Sequence, residues 1–149
     1  MGAGFSCKLN ADKEKQWIAW LANQLDGDCS AYDEVGKEAV QIIEIRTSGG
    51  QDVNGSRFRA KADGNPSYLR KNGYMLGSVK HSRSRTKITI SQDQPIYGAV
   101  HNFGLHAGRG KGFIMPVRQW FGLVSADISQ LNDSLMRKLK TLFEKSMPR

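Results

Sequence analysis

An apolar stripe at intervals of three and four residues runs through the end of the chain: Ile128, Leu131, Leu135, Leu139, Leu142 and Phe143. That spacing returns each side chain to one face of a helix, so the stripe can be hidden only if another layer lies against it. Ser125 stands where an N-cap is expected and Asp127 falls in the first turn. Arg137, Lys138, Lys140 and Lys145 occupy the later turns, the distribution the helix dipole favours. A long one-sided helix demands a core, and the composition can supply one. With 39% hydrophobic and 24% charged residues in 149, the chain reads as a single globular domain spanning 1–149.

The layers that could cover the stripe come earlier. Asn10 is placed to cap a first helix, with Asp12 and Glu14 in its first turn and Trp17, Ile18, Leu21 and Leu25 at helical spacing before Gly27. Ser30 and Asp33 read as a capping box for a second helix, striped by Tyr32, Val35, Ala39, Ile42 and Ile43. Only Asp26 to Cys29 separate the two, which predicts an antiparallel helical hairpin. From Thr47 to Asn65 the chain turns polar and glycine-rich around the turn signal Asn54-Gly55, an irregular excursion pinned by one large ring, Phe58. Gly77–Ser82 and Thr86–Ser91 read as strands. In the second, Thr86, Ile88 and Ile90 face one way and Lys87, Thr89 and Ser91 the other. Ser82 to Arg85 is short enough to join them as an antiparallel hairpin with Arg83 and Arg85 at its tip. The expected fold is α+β: an N-terminal helical hairpin and a long C-terminal helix packed on a small antiparallel sheet.

Between hairpin and last helix lies IYGAVHNFGLHAGRGKGFIMPVRQWFGL, Ile96 to Leu123, which concentrates histidine, aromatic residues and glycine around Pro116. Ile96 to Gly104 reads as a short helix closed by a left-handed glycine cap. Leu105 to Gly112 reads as a glycine-rich loop displaying Arg109 and Lys111, and Met115 to Leu123 sets Trp120 and Phe121 beside Arg118. A basic tip next to an aromatic anchor suggests a surface that meets a partner.

The net charge of +8 and pI near 9.7 suit contact with a polyanion or with an acidic neighbour in an assembly. Cys7 and Cys29 fall in different elements and form no CxxC pair, so a disulfide framework is not expected and a reducing compartment fits. No apolar run approaches the roughly 18 residues of a membrane span, and MGAGFSCKLN lacks a signal-peptide core. Its match to Met-Gly-x-x-x-Ser, the N-myristoylation pattern, is short enough to recur by chance. A soluble, intracellularly made protein is expected. His81, His101 and His106 do not follow metal-ligand spacings, and no carboxylate pair sits beside a histidine in a recognisable acid–base pattern. AGRGKG lacks the phosphate-loop spacing and there is no GxSxG elbow. No catalytic residue, metal or cofactor is therefore expected, and His101 reads as a structural group. Arg83, Arg85, Lys87, Arg109 and Lys111 could neutralise phosphates, but no aromatic residue is interleaved with them as a single-strand platform would require.

Four stretches carry a resemblance. In IRTSGGQDVNGSRF, Arg46, Thr47, Gly50, Asp52, Gly55 and Phe58 fall on the pattern I-x-R-T … G-x-D-x-x-G-x-x-F. NGYMLGSV resembles T-G-x-M-x-x-S, with Asn72 in place of threonine. IYGAVHNFG resembles Y-A-x-x-H-x-x-G through Tyr97, His101 and Gly104, with Gly98 in place of alanine. MPVRQWFGL resembles I-P-A-R-x-F-L-G-L through Pro116, Arg118, Phe121 and Gly122. In order and spacing, over about two-thirds of the chain, these resemble the phage virion morphogenesis family, proteins similar to the Mu-like protein G and to other tail-completion proteins. The resemblance implies a small tail-terminator-like domain, and a structural virion protein at the head–tail junction, made in the host cytoplasm. It would assemble as a ring, a hexamer, around the DNA channel. Implied partners are copies of itself, neighbouring neck and tail-tube proteins, and nonspecifically the packaged DNA, with no membrane involved. On this reading Met115, Arg118, Trp120 and Phe121 make the subunit contact, set against simple core burial. Arg83, Arg85, Lys87, Arg109 and Lys111 then face the DNA channel or an acidic neighbouring ring. The alternative is a nonspecific DNA-binding module of a phage or prophage.

Overall fold

The computed structural model describes residues 11–23, 30–70, 73–84, 87–93 and 95–146. The expected cap at Asn10, the linker Asp26 to Cys29 with Leu25 and Gly27, both cysteines, Asn72, Arg85 and Thr86 lie outside them, as do the side chains of Asp12, Glu14, Trp17 and Leu21. In chain order the elements are α1 (Ala11–Asn23), α2 (Ser30–Ser48), α3 (Tyr74–Gly77), β1 (Val79–Ser84), β2 (Lys87–Gln92), α4 (Pro95–Phe103), β3 (His106–Ala107), β4 (Phe113–Ile114) and α5 (Ser125–Ser146). The class is α+β, as expected, with two small antiparallel sheets.

Helix α2 is the centre of the fold. Ala31, Val35, Ala39, Ile43 and Thr47 recur at every fourth position and are all buried. The helix packs against the β1–β2 hairpin and against α5. The hairpin pairs His81 with Ile90 and Arg83 with Ile88. Ile88 and Ile90 point to the core while Lys87, Thr89 and Ser91 are exposed, the alternation read from the sequence. Val35 and Ala39 meet Leu131 of α5, with Leu135 and Ile42 packed alongside. Ile43 meets Phe58, Leu76, Val79 and Trp120. Ile90 and Leu123 touch both groups, so the core is continuous.

The helices packed on the hairpin and on each other are α2 and α5. The turn that would join α1 to α2 as a helical hairpin lies outside the described residues, and Ile18 on the stripe of α1 is 69% exposed.

The ends of the helices explain how the segments resembling the family are used. The Gln51 amide donates to the Arg46 carbonyl and the Gly50 amide to that of Thr47, with Gly50 at φ +77°. This pair of bonds is a left-handed Schellman cap, which stops α2 and starts the excursion. There Asp52 Oδ1 accepts the amides of Asn54 and Ser56, closing the expected turn, and Phe58 returns to the core. At the start of α5, Asp127 Oδ2 accepts the Val124 amide at 3.0 Å and Arg46 Nη1 at 2.8 Å. The side chain that closes this helix is thus Asp127 reaching back, where Ser125 was expected to act. Arg46 also donates to the Gly122 carbonyl, so one guanidinium ties the last turn of α2 to the first of α5.

Asp33 departs from its expected cap as well. Its carboxylate faces His81 Nε2 at 2.7 Å and Lys37 Nζ at 2.8 Å. The imidazole lies so close to α2 that a Cβ on Gly36 would come within 2.4 Å of its Cδ2.

Candidate interaction surface

The segment from Met115 to Gly122 is held on both sides through its backbone. The Met115 amide donates to the Leu105 carbonyl at 3.1 Å and the Arg118 amide to that of His101 at 2.8 Å. The Val53 amide donates to the Gln119 carbonyl at 2.8 Å, and Asn102 Oδ1 accepts the Phe121 amide at 3.1 Å. An extended segment sends alternate side chains to opposite sides. Arg118 and Trp120 therefore turn inward, while Val117 and Gln119 are exposed.

This alternation decides which of the side chains singled out from the sequence are buried within one chain. Trp120 is completely buried within one chain; its indole Nε1 donates to the Gly98 carbonyl at 3.0 Å and its ring meets Phe121 edge-on at 5.4 Å. The indole thus offers a neighbouring subunit no surface. Arg118, 5% exposed, donates from Nε to the Arg59 carbonyl and from Nη2 to that of Ala60. Met115 and Phe121 keep partial exposure.

Arg118 and Met115 border a groove of about 2100 Å³. One lip is formed by residues 59–62, 66–70 and 73–75. The other is formed by residues 113–118 with Tyr97, His101 and Gly104 on one face of α4. Tyr68, Tyr74, Tyr97, Phe113, Ile114 and Val117 are all exposed there, Tyr74 to 76% and Ile114 to 77%. Such contiguous apolar exposure marks interaction sites on soluble domains. Two backbone features shape the first lip. Leu69 adopts φ +49°, a left-handed conformation that costs a leucine about 1–3 kcal/mol and persists only where packing enforces it. Gly50 lets the Tyr68 ring lie where a Cβ would come within 3.0 Å.

The groove is electrostatically one-sided. Arg59, Lys61, Arg70 and Arg118 line it together with His101, and among the described residues no acidic side chain does. His101 is half-buried, and its Nδ1 has no hydrogen-bond partner among the described residues. Burial, and then the charge of Arg118, push its pKa below the ordinary value, so it is neutral near pH 7. Burial and the proximity of Arg59 push the Arg118 guanidinium down as well.

The basic residues singled out from the sequence stand elsewhere. Arg83 and Lys87 are exposed at the tip of the β1–β2 hairpin, Arg109 and Lys111 at the tip of a second hairpin, and none of them lines the groove. The glycine-rich stretch expected as a loop is the turn of that second hairpin, with His106 paired to Ile114 and Ala107 to Phe113. His106 Nε2 lies 2.8 Å from the Lys111 carbonyl, and Gly112 at φ +49° leaves room for the imidazole. The sequence reading missed Tyr68, Tyr74, Arg59 and Arg70. The available signal was aromatic and basic residues recurring in a stretch too polar to bury them.

Among the described residues no three His, Cys, Asp or Glu side chains gather to hold a metal ion, and no helix is long and apolar enough to cross a membrane. Residues 9–140 match the model of the phage virion morphogenesis family. The chain belongs to that family. It is accordingly a structural protein of phage virions, and no curated protein or solved structure matches it. In this member of the family Arg46, Gly50, Asp52, Gly55, Phe58 and Arg118 all serve the scaffold: caps, turns, core and the floor of the groove.

Proposed function

We propose that the chain is a subunit of a ring, a hexamer, in the phage neck, where it completes the tail and joins it to the head around the DNA channel. The observation that carries this reading is exposed apolar surface on a domain whose own core is already filled. Away from the groove, Ile96 and Phe103 share the outer face of α4, 74% and 65% exposed, with Leu105 exposed just beyond. A ring closes through one such patch meeting a different patch on the next copy, burying on the order of 800 Å² per partner. Of the residues read from the sequence for this contact, Met115 and Phe121 remain in it. Arg118 and Trp120 support it from beneath by fixing the backbone of the segment. The hairpin tips carrying Arg83, Lys87, Arg109 and Lys111 then face the channel, where positive charge meets phosphate.

Counting and locating this chain in purified particles tests the reading. Six copies at the neck are expected, and Phe103→Asp should deplete them while leaving the monomer folded. Localisation elsewhere in the particle refutes the reading. The net charge of +8 supports a second reading as a nonspecific DNA-binding module. That alternative requires the isolated chain to retain DNA with a steep salt dependence and to form no ring.

A further inference from the structure

We propose that the groove seats an acidic, apolar-rich segment of a different virion protein, with a carboxylate placed against Arg59 and Arg118. The inference rests on the virion role argued above and assigns the groove a partner distinct from the neighbouring copy in the ring.

Arg118 supplies the first argument. A buried guanidinium is costly unless an anion answers it, and elsewhere this chain provides one. Arg46, 10% exposed, holds Asp127. Lys138 holds Glu34 and Glu38. Arg118 is buried as deeply, yet the partners that hold it are the neutral carbonyls of Arg59 and Ala60. The charge that bears on it is a second guanidinium, Arg59, and among the described residues no carboxylate lines the cavity beside them. A carboxylate arriving from outside would complete the site, and the planar donor fork of arginine is suited to holding it.

The walls supply the second argument. Phe113, Ile114, Val117 and Tyr74 would be wetted and unmatched against a sugar–phosphate backbone, but they fit the aliphatic and aromatic side chains that flank an acid in a peptide. The charge of the chain as a whole supplies the third. With a net charge of +8, a second copy brings like charge to this basic groove, whereas an acidic partner brings the opposite sign.

Photo-crosslinking in assembled particles tests the assignment. Benzoylphenylalanine is introduced singly at Tyr74 and at Ile114, one on each lip, particles are irradiated, and the crosslinked peptides are sequenced. Both positions are expected to capture one segment of another virion protein, rich in Asp and Glu among apolar residues. Arg59→Glu should reduce that product by about tenfold or more, while Arg109→Glu on the hairpin tip leaves it unchanged. Among the described residues Arg59 is tied to the fold through its carbonyl, which this substitution leaves in place, and thermal unfolding verifies that the variant stays folded. Capture of a second copy of this chain, capture of DNA, no capture in particles that contain the protein, or a product indifferent to Arg59→Glu would each overturn the proposal. Copy number and position are measured on unsubstituted particles. The ring reading can therefore fail while the crosslink still stands, or the reverse; a chain absent from particles defeats both.

Discussion

Replacing Trp120 with alanine distinguishes a core residue from an interface anchor by where the loss is seen. The indole is wholly buried against Ile43, Phe58, Leu76 and Val79, and its Nε1 is the donor to the Gly98 carbonyl. Truncating a buried aromatic of this kind costs about 3–5 kcal/mol, because the cavity collapses only in part. For a domain of this length each kcal/mol corresponds to about 2–4 °C, so the midpoint should fall by about 6–20 °C. Trp120→Phe retains most of the packing but strips the Gly98 carbonyl of its donor, and should cost about 1–3 kcal/mol. Thermal and urea unfolding at several protein concentrations give both numbers. For a core residue the fall is the same at every concentration, since no association step is involved. A Trp120→Ala chain that unfolds like the parent while its oligomer dissociates would refute the assignment to the core.

Two further outcomes follow from particular contacts. Asp127→Ala leaves Arg46 buried without its anion and the Val124 amide without its acceptor, and should cost about 3–5 kcal/mol in urea unfolding, a loss that Arg46→Met in the same chain should largely reverse. Asp33 is held at about 2, first by the hydrogen bond from Lys37 and then by that from His81. The folded value lies below the unfolded one of about 3.9, so its contribution is complete above roughly pH 4 and is lost as the pH falls towards the folded value. Carboxyl chemical shifts should place this midpoint, and Lys37→Ala should raise it; a midpoint unmoved by that substitution contradicts the pairing.

What the sequence disclosed was whatever depends on neighbours a few residues away. The stripe of α2, the alternation of β2, the left-handed glycine closing α4 and the Asn54-Gly55 turn are local consequences of spacing, and the structure has them all. The strand expected from Gly77 begins at Val79, because Tyr74–Gly77 makes a helical turn that Ser78 closes by donating to the Met75 carbonyl. Long-range partners were not legible. Trp120 would look the same as an anchor or as core; only the extended course of its segment, imposed by bonds to Val53, His101 and Asn102, decides which way it points. The groove as a whole was not legible either, since its lips come from three separate parts of the chain and only one of them carries a local sign, the recurring aromatic and basic residues between Arg59 and Tyr74.

Arg118 has a consequence for what the groove can admit. Its amide is fastened to one bank and its guanidinium to the other, so the distance between banks is set by the length of a single arginine side chain. The guanidinium is flat and stiff, and its donors diverge at fixed angles. A bridge this stiff leaves the two banks little freedom to part, so a segment that fits between them finds little left to immobilise. Lysine at this position would offer both carbonyls one rotating ammonium in place of a fixed fork, and the spacing would drift.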